Sequence, residues 1–491
     1  MIYRDLREFI DKLEADGLLK RVSAPVDPAL EVSCILDNLV KSGGPAVLFE
    51  NVLGHTTPIV GNLFGTRERV AMALGVTVEE FSKIGEFIAM LQRPAPPEGL
   101  LDAIKKIPFF GKIMTLGPKK ARSGVCQEVV KTGPEADLSE LPIIKCWPGD
   151  AAPLVTWGLV ITEPPPAPDG KGRSNANVGV YRMQYLDKTR LIMRWLKHRG
   201  GAAHHRLWAE TGKPMPVAIA IGTEPATTIA AVTPVPEDVD EFLFAGILRK
   251  KAIELVDCRT IPLKVPATAE IILEGEIYPD ETAPEGPFGD HTGYYNAVED
   301  FPVFHLLAIT HRKDPLYLTT ITGRPPKEDA VIGTVLNNIY LPSLKLQFPE
   351  VRDFSLPMEA VSYRIAVVSI KKEYPGHARR IMMGIWGVLK QFMYVKYIIV
   401  VDEDIDVHNW ADVIWAISTR VDPARDTLII ERTPIDYLDF SSPTDSLGSK
   451  LGIDATTKGP PEVTRPWGKL MRMDAGIEEL VKKKWKEYGL F

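Results

Sequence analysis

The chain has 491 residues, 45% of them hydrophobic and 25% charged, with 58 Lys and Arg against 64 Asp and Glu for a net charge of −6. At about 100–200 residues per domain this length predicts two to four domains with real cores, and the average composition excludes a disordered chain, a collagen-like repeat and a disulfide scaffold. No bulk basic field is available to hold a nucleic acid, so none is expected as a partner.

The four cysteines, Cys34, Cys126, Cys146 and Cys258, are widely separated and form no CxxC pair. They predict isolated reduced thiols in a cytoplasmic protein. Acidic residues interrupt any apolar signal segment near the N-terminus, and no run of 18 apolar residues predicts a transmembrane helix.

In chain order, Leu6, Phe9, Ile10 and Leu13 mark one face of a helix that Gly17 ends. Asp27-Pro28 predicts an N-cap followed by proline at the first helical position, opening a helix toward Val40. Residues 45–49 read as a short buried strand, and Thr66 caps a second helix that Gly75 ends. Segments 93–99 and 117–124 read as connections. From about 125 to 320, short β-rich runs dominate: 154–162, 176–186, 190–195, 216–222, 262–275 and 302–311, with one helix near 236–251. That pattern predicts a barrel or sandwich. After about 330 the order becomes β-α-β-α-β. Strands are expected at 363–370, 396–401 and 427–430. A helical stripe runs through Ile381, Ile385, Val388, Leu389 and Phe392, and a second helix spans 410–418. The basic run 482–486 predicts the wet face of a terminal helix, with contact to a membrane surface as the alternative.

Three segments concentrate chemistry. In 175–201, Arg182, Arg194 and Arg199 punctuate β-rich sequence that ends in His198-Arg199-Gly200-Gly201. Cations on one surface with adjacent glycines suit a phosphate-bearing ligand; a charged, solvated strand edge is the competing reading. Asn177 and His198, joined by an acid such as Glu241, offer ligands that favour Mn²⁺ or Mg²⁺ over Zn²⁺. In 283–295, Glu285 and Asp290 sit five residues apart in Gly/Pro-rich sequence read as neither regular helix nor central strand. The neighbours Phe288, Tyr294 and Tyr295 are expected to desolvate these carboxylates and raise a pKa toward neutrality. The third segment, 402–408 (DEDIDVH), follows a strand as metal-binding acids do, but Asp404 or Asp406 capping the next helix is the preferred reading.

The motifs NVGVYRMQ (177–184), LIMRWLKHRGGA (191–202), VTPVPEDVDEFLFAGILR (232–249), APEGPFGDHTGYYN (283–296), TGRPPKEDAVIG (322–333), GHARRIMMGIWGVLKQFMY (376–394) and TPIDYLDFSSP (433–443), in this order, resemble the UbiD family of prenylated-flavin-dependent decarboxylases. The likeness extends over nearly the whole chain. It implies a mixed α/β fold with an N-terminal α/β segment (1–120), a flavin-reductase-like split β-barrel (121–325) and a C-terminal α/β oligomerisation domain with a terminal helix (326–491).

It further implies Mn²⁺ on Asn177, His198 and Glu241, with K⁺ nearby. Prenylated FMN is implied against Val180, Tyr181, Arg182, Arg194, Trp195, Leu196, Arg199 and Gly200. Arg182, Glu285 and Asp290 match the family's catalytic network, with Asp290 as proton donor. Relatives acting on cinnamic-type acids carry Glu where this chain has Asp290, and the polyprenylbenzoate branch carries Asp. The implied reaction is therefore non-oxidative decarboxylation of 4-hydroxy-3-polyprenylbenzoate to 2-polyprenylphenol, with another aromatic acid as the alternative substrate. The implied partners are a flavin prenyltransferase that supplies the cofactor, further copies of the chain (dimer to hexamer), and peripheral contact with a membrane.

Overall fold

The computed structural model describes residues 2–92, 115–166, 176–196, 200–233, 240–361, 363–388 and 390–489. Helix Leu6–Ala15 buries Leu6, Phe9, Ile10 and Leu13 and is capped by Asp5, whose carboxylate accepts from the Glu8 N–H at 3.0 Å. Strand Leu19–Val22 pairs in parallel with Ala46–Phe49, which pairs antiparallel with Ile59–Gly61. The distant strand Tyr317–Leu318 completes this four-stranded sheet.

Asp27-Pro28 does not open a helix. The Asp27 carboxylate accepts the Ala29 N–H at 2.7 Å in a local turn, and the helix starts later, as Glu31–Lys41, with Leu30 at φ 73° in the capping position. An Asp at such a place satisfies a backbone donor equally well in a turn or at a cap, and the turn wins. Thr66 does cap its helix, Arg67–Ala73.

The central region is a nine-stranded antiparallel sheet curled into a half-barrel. Its order is Leu154–Val155, Arg182–Asp187, Arg190–Arg194, Glu299–His311, Ile271–Glu285, Met215–Ile221, Leu159–Thr162 and Asn177–Val180. Strand Val129–Thr132 pairs with Glu299–His311 off this path. All seven residues of Met215–Ile221 are buried, as a strand covered on both faces requires.

Two features depart from expectation. Strand Ile271–Glu285 enters the Gly/Pro-rich segment 283–295 and ends at Glu285, with a register shift between Ile277 and Thr282, while 286–295 form the expected loop. The irregularity absorbs Pro279 without ending the strand. Among the described residues the region also holds three α-helices rather than one: Gly200–Thr211, Pro225–Val232 and Glu241–Arg249. The first buries only Gly201 and Ala202, and the second is a short, nearly all-buried segment, so neither shows an amphipathic stripe. Of the expected helix near 236–251, residues 236–239 lie outside the described residues.

Helix Glu328–Gln347 leads into a five-stranded sheet ordered Val351–Ser355, Ile365–Ile370, Tyr397–Asp402, Leu447–Ala455 and Thr427–Pro434, the middle three parallel. Alternation divides its two cores. Ala366, Val368 and Ile370 face helix His377–Val388, and Val367 faces helix Trp410–Arg420. Phe392 joins the first core from the turn Lys390–Tyr394, while Leu389 lies outside the described residues. The terminal helix Ala475–Lys484 buries none of its residues. Among the described residues no helix is long and apolar enough to cross a membrane.

Candidate active site

The hairpin of Arg182–Asp187 and Arg190–Arg194 sets Arg194 directly opposite Arg182. Like charges in that register repel unless an anion lies between them. Glu285, fully buried at the end of its strand, supplies it. Glu285 Oε1 accepts from Arg182 Nε at 2.7 Å, and Oε2 accepts from Arg194 Nη1 at 2.7 Å and Arg182 Nη2 at 3.3 Å. Arg182 also donates to Asp290 Oδ2 at 2.9 Å and Asn296 Oδ1 at 3.1 Å, over the ring of Phe288. Arg194 lies over Phe301 and donates to the Tyr437 hydroxyl. One guanidinium thus holds both acids of the segment 283–295.

The loop between those acids is fixed from outside. Gly286 has φ +97°, a conformation that strains any side-chain-bearing residue, and its N–H donates to Gln184 Oε1 at 2.9 Å. Asp150 accepts the N–H groups of Trp147 and Gly289 at 2.7 and 2.9 Å.

The protonation expectation for Asp290 is reversed. Burial opposes its ionisation, but the hydrogen bond from His291 and the charges of Arg182 and His291 outweigh it and hold the carboxylate well below its ordinary range. His291 goes the other way. Burial disfavours its charge, yet the hydrogen bond and charge of Asp290, then Asp436 and Asp329, raise its pKa. By linkage, the depressed Asp290 stabilises the fold above its ordinary 3.8 and loses that contribution as pH falls through its folded value. The elevated His291 contributes fully below 6.5 and loses its share as pH rises through its folded value, so the pair contributes most between those limits.

Glu241 reaches the backbone of the strand that Asn177 opens. The Val178 N–H donates to Glu241 Oε2 at 3.3 Å, and the Asn177 amide reaches the Tyr181 hydroxyl at 3.5 Å. That hydroxyl also accepts the Gly201 N–H at 3.2 Å, while Tyr181 and Trp195 pack edge to face at 6.0 Å. A Cβ at Gly200 would stand 1.9 Å from Asn177 Oδ1, so only glycine lets the amide oxygen and this helix N-terminus share the space. Burial pushes the Glu241 carboxyl up to about 7, and among the described residues no Lys or Arg neutralises it. A carboxylate in that state, held on the backbone of the residue next to Asn177, fits a cation. No three His, Cys, Asp or Glu side chains converge as a ready metal site among the described residues. His198 and Arg199 lie outside the described residues. Val180 and Leu196 are half-buried along the same hairpin region.

The acids of 402–408 are held differently. Arg420 Nη1 donates to Asp402 at 2.8 Å and Asp404 at 3.0 Å, Nη2 donates to Asp404 at 2.8 Å, and Asn409 rather than an Asp caps the next helix. Replacing both acids with Asn strands a guanidinium that is only 4% exposed. The expected result is a loss of about 3 kcal/mol in urea unfolding with turnover per folded molecule unchanged.

Of the network, His291 enters the sequence reading only as part of the dense segment 283–295, and Asp436 and Tyr437 escape it. The last two lie in the motif TPIDYLDFSSP, which carries a resemblance without a chemical role until the fold brings it to Arg194 and His291.

Residues 118–325 match the Rift-related domain of the 3-octaprenyl-4-hydroxybenzoate carboxy-lyase family UbiD, residues 330–455 its C-terminal domain and residues 10–88 its N-terminal domain. The chain belongs to the UbiD family of carboxy-lyases. It is 29% identical to the closed form of the vanillic acid decarboxylase ShVdcCD of Sedimentibacter hydroxybenzoicus, over 100% of both chains, with a TM-score of 0.85. It is also 29% identical to the UbiD-class enzyme HmfF from Pelotomaculum thermopropionicum in complex with FMN, over 97% of this chain and 98% of that one, with a TM-score of 0.80. An evolved dimeric form of HmfF in complex with prFMN matches over the same shares at 29% identity and a TM-score of 0.78.

Proposed function

We propose that the chain decarboxylates 4-hydroxy-3-polyprenylbenzoate to 2-polyprenylphenol, the chemistry of ubiquinone biosynthesis, using prenylated FMN. The carrying observation is Arg182 paired at once with Glu285 and Asp290. Asp290, the shorter of the two acids the family uses there, favours the hydroxybenzoate branch.

When bound, prenylated FMN supplies the electron sink that no ordinary side chain offers to an aryl carboxylate losing CO₂. Val180, Tyr181, Arg182, Arg194, Trp195, Leu196, Arg199 and Gly200 would hold it. Asn177, His198 and Glu241 would hold Mn²⁺, with K⁺ nearby, to neutralise its phosphate. Arg182 keeps Glu285 in place and orients the substrate carboxylate. Asp290 hands over the proton that replaces CO₂. Phe288 and Phe301 line the arginines and limit water at the network.

A second reading, decarboxylation of a simpler aromatic acid, draws on the vanillic acid decarboxylase likeness. A competition of 4-hydroxy-3-prenylbenzoate against 4-hydroxybenzoate and vanillate decides between them: preference for the prenylated acid supports the first, and preference for vanillate the second. We further propose a cytoplasmic homo-oligomer with domains at 1–120, 121–325 and 326–491, loaded by a flavin prenyltransferase. Peripheral membrane contact would come through the exposed terminal helix with its Lys482, Lys483 and Lys484.

The metal reading has its own check. Glu241→Ala and Gly200→Ala should each weaken Mn²⁺ retention at least about tenfold and lower bound flavin in parallel, read by elemental analysis and absorbance. Full occupancy in both variants rejects the assignment.

A further inference from the structure

His291 stands between two carboxylates from different parts of the chain. Its Nδ1 lies 2.8 Å from Asp290 Oδ1, and its Nε2 lies 3.8 Å from Asp436 Oδ2, in the loop between strands Thr427–Pro434 and Leu447–Ala455. Nε2 is buried and has no hydrogen-bond partner among the described residues. Asp436 is itself held in place: Oδ1 accepts the Leu438 N–H at 2.9 Å, and Oδ2 accepts from the Tyr363 hydroxyl and from Arg364 at 3.5 Å. The Tyr363 ring packs 6.0 Å from the imidazole. Asp329, at the start of helix Glu328–Gln347, is a third negative neighbour. The cations near this group lie on the acids rather than on the ring: Arg182 on Asp290 and Arg364 on Asp436.

Decarboxylation consumes one proton per turnover at the carbon that loses CO₂. An acid held ionised by Arg182 and His291 does not carry that proton at rest, and the imidazole Nδ1 is the nearest place to keep it. We propose that His291, clamped between Asp290 and Asp436, is the positioning residue that stores the proton Asp290 delivers. The steps balance without oxidant or reductant. The C–C bond to the carboxylate breaks, its electron pair stays on the ring carbon and CO₂ leaves; Asp290 takes the Nδ1 proton of the imidazolium, passes it to the vacated carbon and returns to the carboxylate, and neutral His291 regains one proton from solvent. The C-terminal region thereby contributes to the chemistry through Asp436, which favours the charged imidazole.

This inference rests on the decarboxylase reading, and two measurements separate their failures. The first needs no cofactor. With ¹³Cε1-labelled histidine, the His291 signal among nine histidines is identified by its absence in His291→Asn. It should titrate above 6.5 and move down by about one pH unit in Asp436→Asn. A signal titrating at or below 6.5 and unmoved in Asp436→Asn overturns the inference. The second is the pH profile of kcat in the flavin-loaded enzyme. Activity should fall as pH rises through the His291 value, and this alkaline limb should shift to lower pH in Asp436→Asn. His291→Ala should be slow and partly rescued by added imidazole. A loaded wild type that releases CO₂ with limbs identical in both variants overturns the inference, whereas one that releases none overturns the decarboxylase reading.

Discussion

Glu285→Ala is expected to be the most destabilising single substitution in the active site, lowering unfolding free energy by about 3–5 kcal/mol. Among the described residues, Glu285 is the only carboxylate touching both Arg182 and Arg194, which face each other across a strand pair. Removing it leaves two guanidinium groups, one of them deeply buried, repelling at close range. Glu285→Gln keeps the shape and loses the charge, so it should fall in the same direction. Adding Arg194→Met to Glu285→Ala removes one side of the repulsion and should recover part of the loss. Urea unfolding of the three variants reads this out. A loss under about 1 kcal/mol in Glu285→Ala would mean that the arginines are compensated elsewhere.

Asp290→Asn should keep the fold and lose the reaction. The amide oxygen can still accept from one of the two donors that now reach separate oxygens, Arg182 on Oδ2 or the His291 backbone N–H on Oδ1, but the side chain has no proton to hand over. A fall in kcat of about 10²–10⁴-fold is expected, with flavin and metal content unchanged, because general acid catalysis contributes on that scale. Near-wild-type turnover would remove Asp290 from the acid role.

These two effects depend on what the sequence shows unevenly. Helix faces such as Leu6, Phe9, Ile10 and Leu13, and the alternating strands of the C-terminal sheet, follow from periodicity, since burying one face fixes the spacing. Local signals with two solutions do not resolve themselves. Asp27 suits a turn and a cap equally, and Pro284 with Gly286 suggests a loop where a bulged strand continues to Glu285. Glu285 and Asp290 stand out by composition, but their charge states do not. Asp290 is kept ionised by Arg182, 108 residues earlier, and by an imidazole that Asp436 helps to charge. Such long-range electrostatics enter only when the strands are paired.

The central claim meets its most direct test in CO₂ release. The chain is purified after co-expression with a flavin prenyltransferase, its cofactor mass is confirmed, and it is given 4-hydroxy-3-prenylbenzoate beside the Asp290→Asn variant. The account predicts prenylated FMN in both proteins and CO₂ release that collapses only in the variant. Equal prenylated-FMN loading with equal release from the two, or none from the wild type, would contradict it.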